Sequence, residues 1–189
     1  MRVIGGAFRG RKLTPLKGKS IRPTADRVRE ALFNIIGRKT IDANVLDLFA
    51  GTGALGIESL SRGAARAVFV EQASSSLAII HKNISLCKIE EKSKIIQWDI
   101  LKNLNCLHSY QGCFNLIFID PPYNQQMAEP ALRHLASGRL PAPDAIAVVE
   151  HNPAQGVQSP VPEWIAIDQR RYGRTQLSFF RFNANRTNT

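Results

Sequence analysis

At 189 residues with 44% hydrophobic content, the chain can build one domain with a substantial core plus an appendage. No apolar run reaches bilayer-spanning length and no apolar leader opens the chain, so a soluble cytoplasmic protein is expected. The net charge of +10 is concentrated: residues 1–40 hold eleven Lys/Arg against two acids, while the rest of the chain is nearly neutral, which points to a polyanionic partner such as nucleic acid.

Residues 1–23 mix short apolar pieces with glycine and basic residues. They predict a small β-hairpin with Arg9-Gly10 near its turn, too short to hold its own core. Arg9, Arg11 and Lys12 are its candidate RNA contacts. A helix is expected after Arg22-Pro23, with Thr24 as its N-cap and Gly37 as its stop. Residues 1–40 thus read as a basic extension and 41–189 as the main domain.

From residue 44 the pattern is regular. Val45–Phe49, Ala67–Val70, Lys94–Trp98, Phe114–Ile119 and Ala145–Val149 read as strands. Ala54–Arg62, Ser74–Cys87 (capped by Ser74) and Met127–Ser137 read as the helices between them. This alternation calls for an α/β fold with a mainly parallel sheet covered on both faces. Trp164–Asp168 and Gln176–Phe182 have no helix between them and should pair antiparallel across Arg170–Arg174. Cys87, Cys106 and Cys113 are odd in number and irregularly spaced, which fits a reducing compartment and no zinc site. The four histidines are scattered and read as surface or loop residues, so no metal is expected.

Four acids stand at the ends of predicted strands: Asp47, Glu71, Asp99 and Asp120. In a parallel sheet those ends share one edge, where ligands bind. Gly51 and Gly53 allow a tight turn and a close ligand approach. Glu71 follows Gly51 by twenty residues, the spacing of an acid that accepts from ribose hydroxyls. Asp99 could receive an adenine amine. Gly51, Gly53 and Gly56 also spell a dinucleotide fingerprint, so NAD is a competitor. Asp47, however, would repel a pyrophosphate and suit an ammonium group. S-adenosyl-L-methionine has that group and no phosphate.

Phe114–Ile119 then delivers Asp120-Pro121-Pro122-Tyr123. The prolines remove two donors and end the strand. The Asp120 carboxylate and the Pro121 carbonyl can hold the N–H groups of an exocyclic base amine and free its lone pair for in-line attack on a methyl group. Tyr123 can stack on the base.

These motifs resemble the class I S-adenosylmethionine-dependent amino-methyltransferases. Arg2-Val3-Ile4-Gly5-Gly6, Arg9–Leu13 and Arg22–Asn34 resemble, within that class, the RsmD family, bacterial 16S ribosomal RNA guanine-N2 methyltransferases acting on guanine 966. The likeness spans Arg2 to Phe182. It implies a Rossmann-like, seven-stranded sheet with the last strand antiparallel. It implies cofactor roles for Asp47, Phe49, Gly51, Gly53, Glu71, Asp99 and Thr24, and catalytic roles for Asp120, Pro121, Pro122 and Tyr123. Arg22, Arg27 and Arg29 would join the RNA contacts. The expected partner is 16S ribosomal RNA in a 30S particle or assembly intermediate, and the expected state is monomeric. Two rivals stand beside this reading: an adenine-N6 DNA or RNA methyltransferase, which shares the catalytic tetrapeptide, and an RNA-binding assembly factor without catalysis.

Overall fold

The computed structural model describes residues 1–16, 23–122, 127–154, 156–159 and 161–186, and the chain divides into two units, Met1–Trp98 and Asp99–Thr189. In the first unit β1 (Asn44–Leu48) is followed by α2 (Ala54–Ser61), β2 (Arg66–Glu71), α3 (Ser74–Cys87) and β3 (Ser93–Gln97), with α1 (Pro23–Ile36) before them. The strands pair in parallel in the order β3-β2-β1. Val45, Leu46, Leu48, Phe69 and Val70 are completely buried, which is why β1 and β2 read as mostly apolar runs. Register sets Leu48 beside Val70 and Glu71 beside Gln97, so all three strands deliver their C-terminal ends to one edge.

The second unit contains β4 (Phe114–Ile119), α4 (Ala128–Ser137), β5 (Pro141–His151), β6 (Trp164–Tyr172) and β7 (Thr175–Phe182). β5 runs parallel to β4, and β7 lies antiparallel between β5 and β6, giving β4-β5-β7-β6. The seven strands thus make the mainly parallel α/β sheet expected, with the last strand reversed. Trp164, 1% exposed, fastens β6 to α4 by donating its indole N–H to the Leu132 carbonyl at 2.9 Å. Among the described residues no helix is long and apolar enough to cross a membrane, and no cluster of three metal-ligating side chains occurs.

Several local expectations change. The N-terminal segment is a looser ribbon than a hairpin: one isolated bridge joins Arg2 to Lys12, and a 3₁₀ turn covers Gly6–Phe8. Thr24 is the second residue of α1, not its cap, because Pro23 with its fixed φ already starts the helix. Ser74 is likewise the first residue of α3, and the cap position is Ala73. The sequence Arg170–Tyr172 belongs to β6, and the turn shrinks to Gly173-Arg174, with Tyr172 opposite Thr175. His151 is buried, contrary to the surface reading, and its Nε2 lies 2.8 Å from Ser178 Oγ.

Gly56 is a tight packing point between α2 and β2. A Cβ there would lie 2.3 Å from Phe69 Cε1, so α2 can approach β2 only over a bare backbone. Gly56→Ala is expected to lower stability by about 1–3 kcal/mol through overpacking, measured as a fall in the urea midpoint. Adding Phe69→Leu should recover part of the loss. A wild-type midpoint for Gly56→Ala alone would show that the contact is not limiting.

Candidate functional site

β1 ends in a turn of unusual backbone. Phe49, Gly51 and Gly53 all take left-handed φ values, +58°, +58° and +75°. For Phe49 that conformation costs about 1–3 kcal/mol and must be held by its surroundings. Ala50 N–H donates to the Val70 carbonyl at 3.2 Å, tying the turn to β2, and Gly53 N–H closes it onto the Ala50 carbonyl at 2.7 Å.

Two carboxylates complete the arrangement. Glu71 Oε2 accepts from Gly51 N–H at 2.8 Å, and its Oε1 accepts from Gln72 and Ala73 N–H at 2.9 Å each. One side chain therefore clamps the glycine turn to the chain entering α3. Asp47 is 2% exposed, and its Oδ2 accepts from Gly56 N–H, in the first turn of α2, at 2.9 Å. Burial pushes the Asp47 carboxyl up to about 7, the Gly56 hydrogen bond opposes the rise, and the negative charge of Glu71 adds to it.

Asn83, buried in α3, completes the cradle. It accepts from Thr14 N–H at 2.7 Å and donates to the carbonyls of Thr14 and Thr52 at 3.1 and 2.9 Å. Sequence reasoning did not select it, because a polar residue among the apolar positions of a helix was its only signal.

The basic ribbon is docked on α2. Val3 and Leu13 are buried, each contributing about 1.5–3 kcal/mol. Glu58, 1% exposed, accepts from Ile4 and Gly5 N–H at 2.7 and 2.8 Å and from Arg62 Nε at 2.7 Å. Arg29 is a correction to the RNA-facing set. It is 6% exposed, pairs with Asp26 at 3.2 Å, donates to the Arg2 carbonyl and lies 3.7 Å from Glu58. Burial lowers its pKa, opposed by Glu58 and Asp26. It is a structural cation rather than a phosphate ligand. Arg9, Arg11, Lys12 and Arg27 are exposed, although Arg11 also donates to the Leu86 carbonyl at 2.7 Å. Arg22 lies outside the described residues.

In the second unit Asp99 is half-buried; its Oδ1 accepts from Leu101 N–H at 3.1 Å, and Lys102 Nζ is 3.8 Å from its Oδ2. Asp120 is half-buried directly beyond β4, Pro121 is buried and Pro122 exposed. Tyr123 lies outside the described residues.

The strand order and the acid-held glycine turn define a Rossmann-like protein of the class I methyltransferase fold. The family model described as "Conserved hypothetical protein 95" matches residues 1–181, and the chain belongs to that family. "Ribosomal RNA small subunit methyltransferase D" of Escherichia coli is 34% identical over 185 residues, covering 97% of this chain and 91% of that protein. "Putative rRNA methyltransferase YlbH" of Bacillus subtilis is 32% identical, covering 96% of this chain and 98% of that protein. The solved structure "Putative methyltransferase yhhF from Escherichia coli" superposes with a TM-score of 0.85 at 30% identity, covering 98% of this chain and 99% of that one.

Two predictions come from these contacts. Glu58→Ala leaves Arg29 and two ribbon amides without their buried partner, so it should cost about 3–5 kcal/mol in urea unfolding. Amides of residues 3–13 should then lose hydrogen-exchange protection, and retained protection would show that Glu58 does not dock the ribbon. The second concerns pH. The Asp47 carboxyl is raised from 3.8 to about 7, so the folded state binds its proton more tightly than the unfolded chain. Its contribution is complete below the lower value and is lost as pH rises through the upper one. Relative to Asp47→Asn, the wild type should lose stability between about pH 4 and 7. Parallel stability curves for the two would refute the assignment.

Proposed function

We propose that this protein transfers a methyl group from S-adenosyl-L-methionine to the exocyclic N2 amine of a guanine in 16S ribosomal RNA. We place the target in a small-subunit particle or assembly intermediate, with the protein working as a monomer in the cytoplasm. The names of its relatives, at 32 and 34% identity over nearly the whole chain, support a ribosomal RNA methyltransferase.

The observation that carries the cofactor reading is the use already made of the turn's amides. In a dinucleotide site the amides of the glycine turn and of the following helix face a pyrophosphate. Here Gly51 N–H is held by Glu71 and Gly56 N–H by Asp47, so two carboxylates stand where the diphosphate would need donors. That favours a phosphate-free adenosine ligand with a cationic end. Space also remains: a Cβ on Gly51 would meet nothing nearer than 3.8 Å. A carboxylate has about four lone-pair sites and Glu71 uses three of them, so Oε2 can still accept from a ribose hydroxyl. Asp47, Phe49, Gly51, Gly53 and Glu71 would hold the ligand, with Asp99 toward the adenine amine and Thr24 on the segment that covers it. Bound there, the cofactor supplies a methyl group on a sulfonium, an electrophile that needs no metal.

On the acceptor side the protein contributes hydrogen-bond acceptors. Asp120 and the Pro121 carbonyl would take the amine's N–H groups and turn its lone pair toward the methyl group. The carboxylate also stabilises the positive charge that develops on nitrogen. Pro122 keeps the turn rigid. Tyr123 would stack on the base.

The test supplies labelled S-adenosylmethionine with small-subunit particles, deproteinised 16S RNA and DNA, then digests the products to nucleosides. N2-methylguanosine from ribosomal RNA is expected; label in N6-methyladenine would overturn the reading. Asp120→Ala is expected to reduce turnover by at least about a hundredfold while calorimetry shows cofactor binding within about threefold of wild type. Loss of cofactor binding as the main defect would remove Asp120 from the acceptor side.

A further inference from the structure

We propose that the tip of the β6–β7 hairpin, Arg170 to Arg174, is a second RNA contact that grips phosphates beside the target nucleotide. The inference rests on the ribosomal RNA reading above, and its argument is strand register. Ile119 pairs with Val149, Val149 with Ser178, and Ser178 with Gln169. One residue further along, Asp120 is level with Glu150, Leu177 and Arg170. Another step brings Pro121 level with His151, Gln176 and Arg171. The turn Gly173-Arg174 projects beyond that line. β7 and β6 therefore carry the hairpin tip to the same sheet edge as the acceptor turn, three strand spacings away, or about 14–15 Å. That is a distance of a few nucleotides along a chain, so a base held at Asp120 would bring neighbouring phosphates near the tip.

The chemistry of the tip fits that partner. Residues 41–189 are nearly neutral, yet three arginines fall within five positions here. Arg170, Arg171 and Arg174 are exposed, and Tyr172 is half-buried between them. Asp168 pairs with Arg170 at 3.0 Å and neutralises one charge. Arg171 donates from Nε to the Gly173 carbonyl at 3.2 Å, which orients its guanidinium over the turn. A two-residue turn requires a left-handed residue, supplied by Gly173 at φ +61°, and nothing in its backbone requires arginine on either side. Guanidinium groups hold phosphate oxygens in bidentate geometry, so arginine suits a phosphate contact.

The experiment compares the wild-type chain, Arg171→Gln/Arg174→Gln and Arg171→Lys/Arg174→Lys. Filter binding to deproteinised 16S RNA is measured across a salt series, and methyl transfer is measured on small-subunit particles. The glutamine pair should weaken RNA binding roughly tenfold at moderate salt and lower the slope of log affinity against log salt by about 2, near one per lost phosphate contact. In methyl transfer KM should rise more than kcat falls. The lysine pair keeps the charge but loses both the Arg171–Gly173 bond and bidentate geometry, so its affinity should fall between wild type and the glutamine pair while its salt slope stays near the wild-type value. An unchanged slope for the glutamine pair would overturn the proposal. So would a lysine pair that matches the glutamine pair in both affinity and slope, which would mean a turn-stabilising role. A defect seen on particles but absent on bare RNA would assign the tip to a protein instead. If the wild type transfers no methyl group to any RNA, the enzymatic reading fails, while the binding series still decides the tip.

Discussion

The glycine turn after β1 is held by one carboxylate on its own amide and a second on the helix that follows it. Three left-handed residues in five would otherwise leave a polar loop at the sheet edge with no fixed shape. Glu71 joins that loop to the start of α3, and buried Asp47 joins it to the start of α2. The energetic asymmetry matters here. Ionised Asp47 is penalised by burial, whereas an unpaired amide at Gly56 would cost about 1–3 kcal/mol in its own right. The same contacts that keep the turn in shape favour a cationic ligand over an anionic one. In the proposed function, one pair of side chains thus serves both stability and cofactor choice.

A second buried acid connects this core to the basic segment. Glu58 sits under the N-terminal ribbon and takes two of its amides, while Arg29 and Arg62 balance its charge. Asn83 reaches from α3 to both Thr14 and Thr52, so the ribbon and the glycine turn share a support. The positive charge counted in residues 1–40 therefore divides into cations used inside the unit, such as Arg29, and exposed ones, such as Arg9 and Lys12. Only the exposed ones are available to a polyanion.

How much of this was readable depended on the range of the interaction. β1 and β4 were legible because strands buried on both faces leave mostly apolar runs, and because Gly51 and Pro121 punctuate them sharply. The spacing from Gly51 to Glu71 was legible because a β-α-β crossover has a typical length. Glu58 was not: with Arg62 four residues on, it looks like a surface helix pair, and its other partners, Ile4 and Arg29, are remote in sequence. His151 and Asn83 were hidden for the same reason. The end of β6 was missed because an edge strand keeps polar side chains in water and shows little apolar alternation along Gln169–Tyr172. The α3 cap was misread because the helix starts one residue earlier than expected, with Ser74 already its first residue and Ala73 at the cap position.

The central claim is that carboxylates, not a pyrophosphate, occupy the amides of the glycine turn and of the helix that follows it. Calorimetric titration of the purified chain with S-adenosyl-L-methionine and, separately, with NAD tests it most directly. Saturable one-to-one binding of S-adenosyl-L-methionine and no binding of NAD is the predicted result. Binding of NAD at comparable or greater strength would contradict the account.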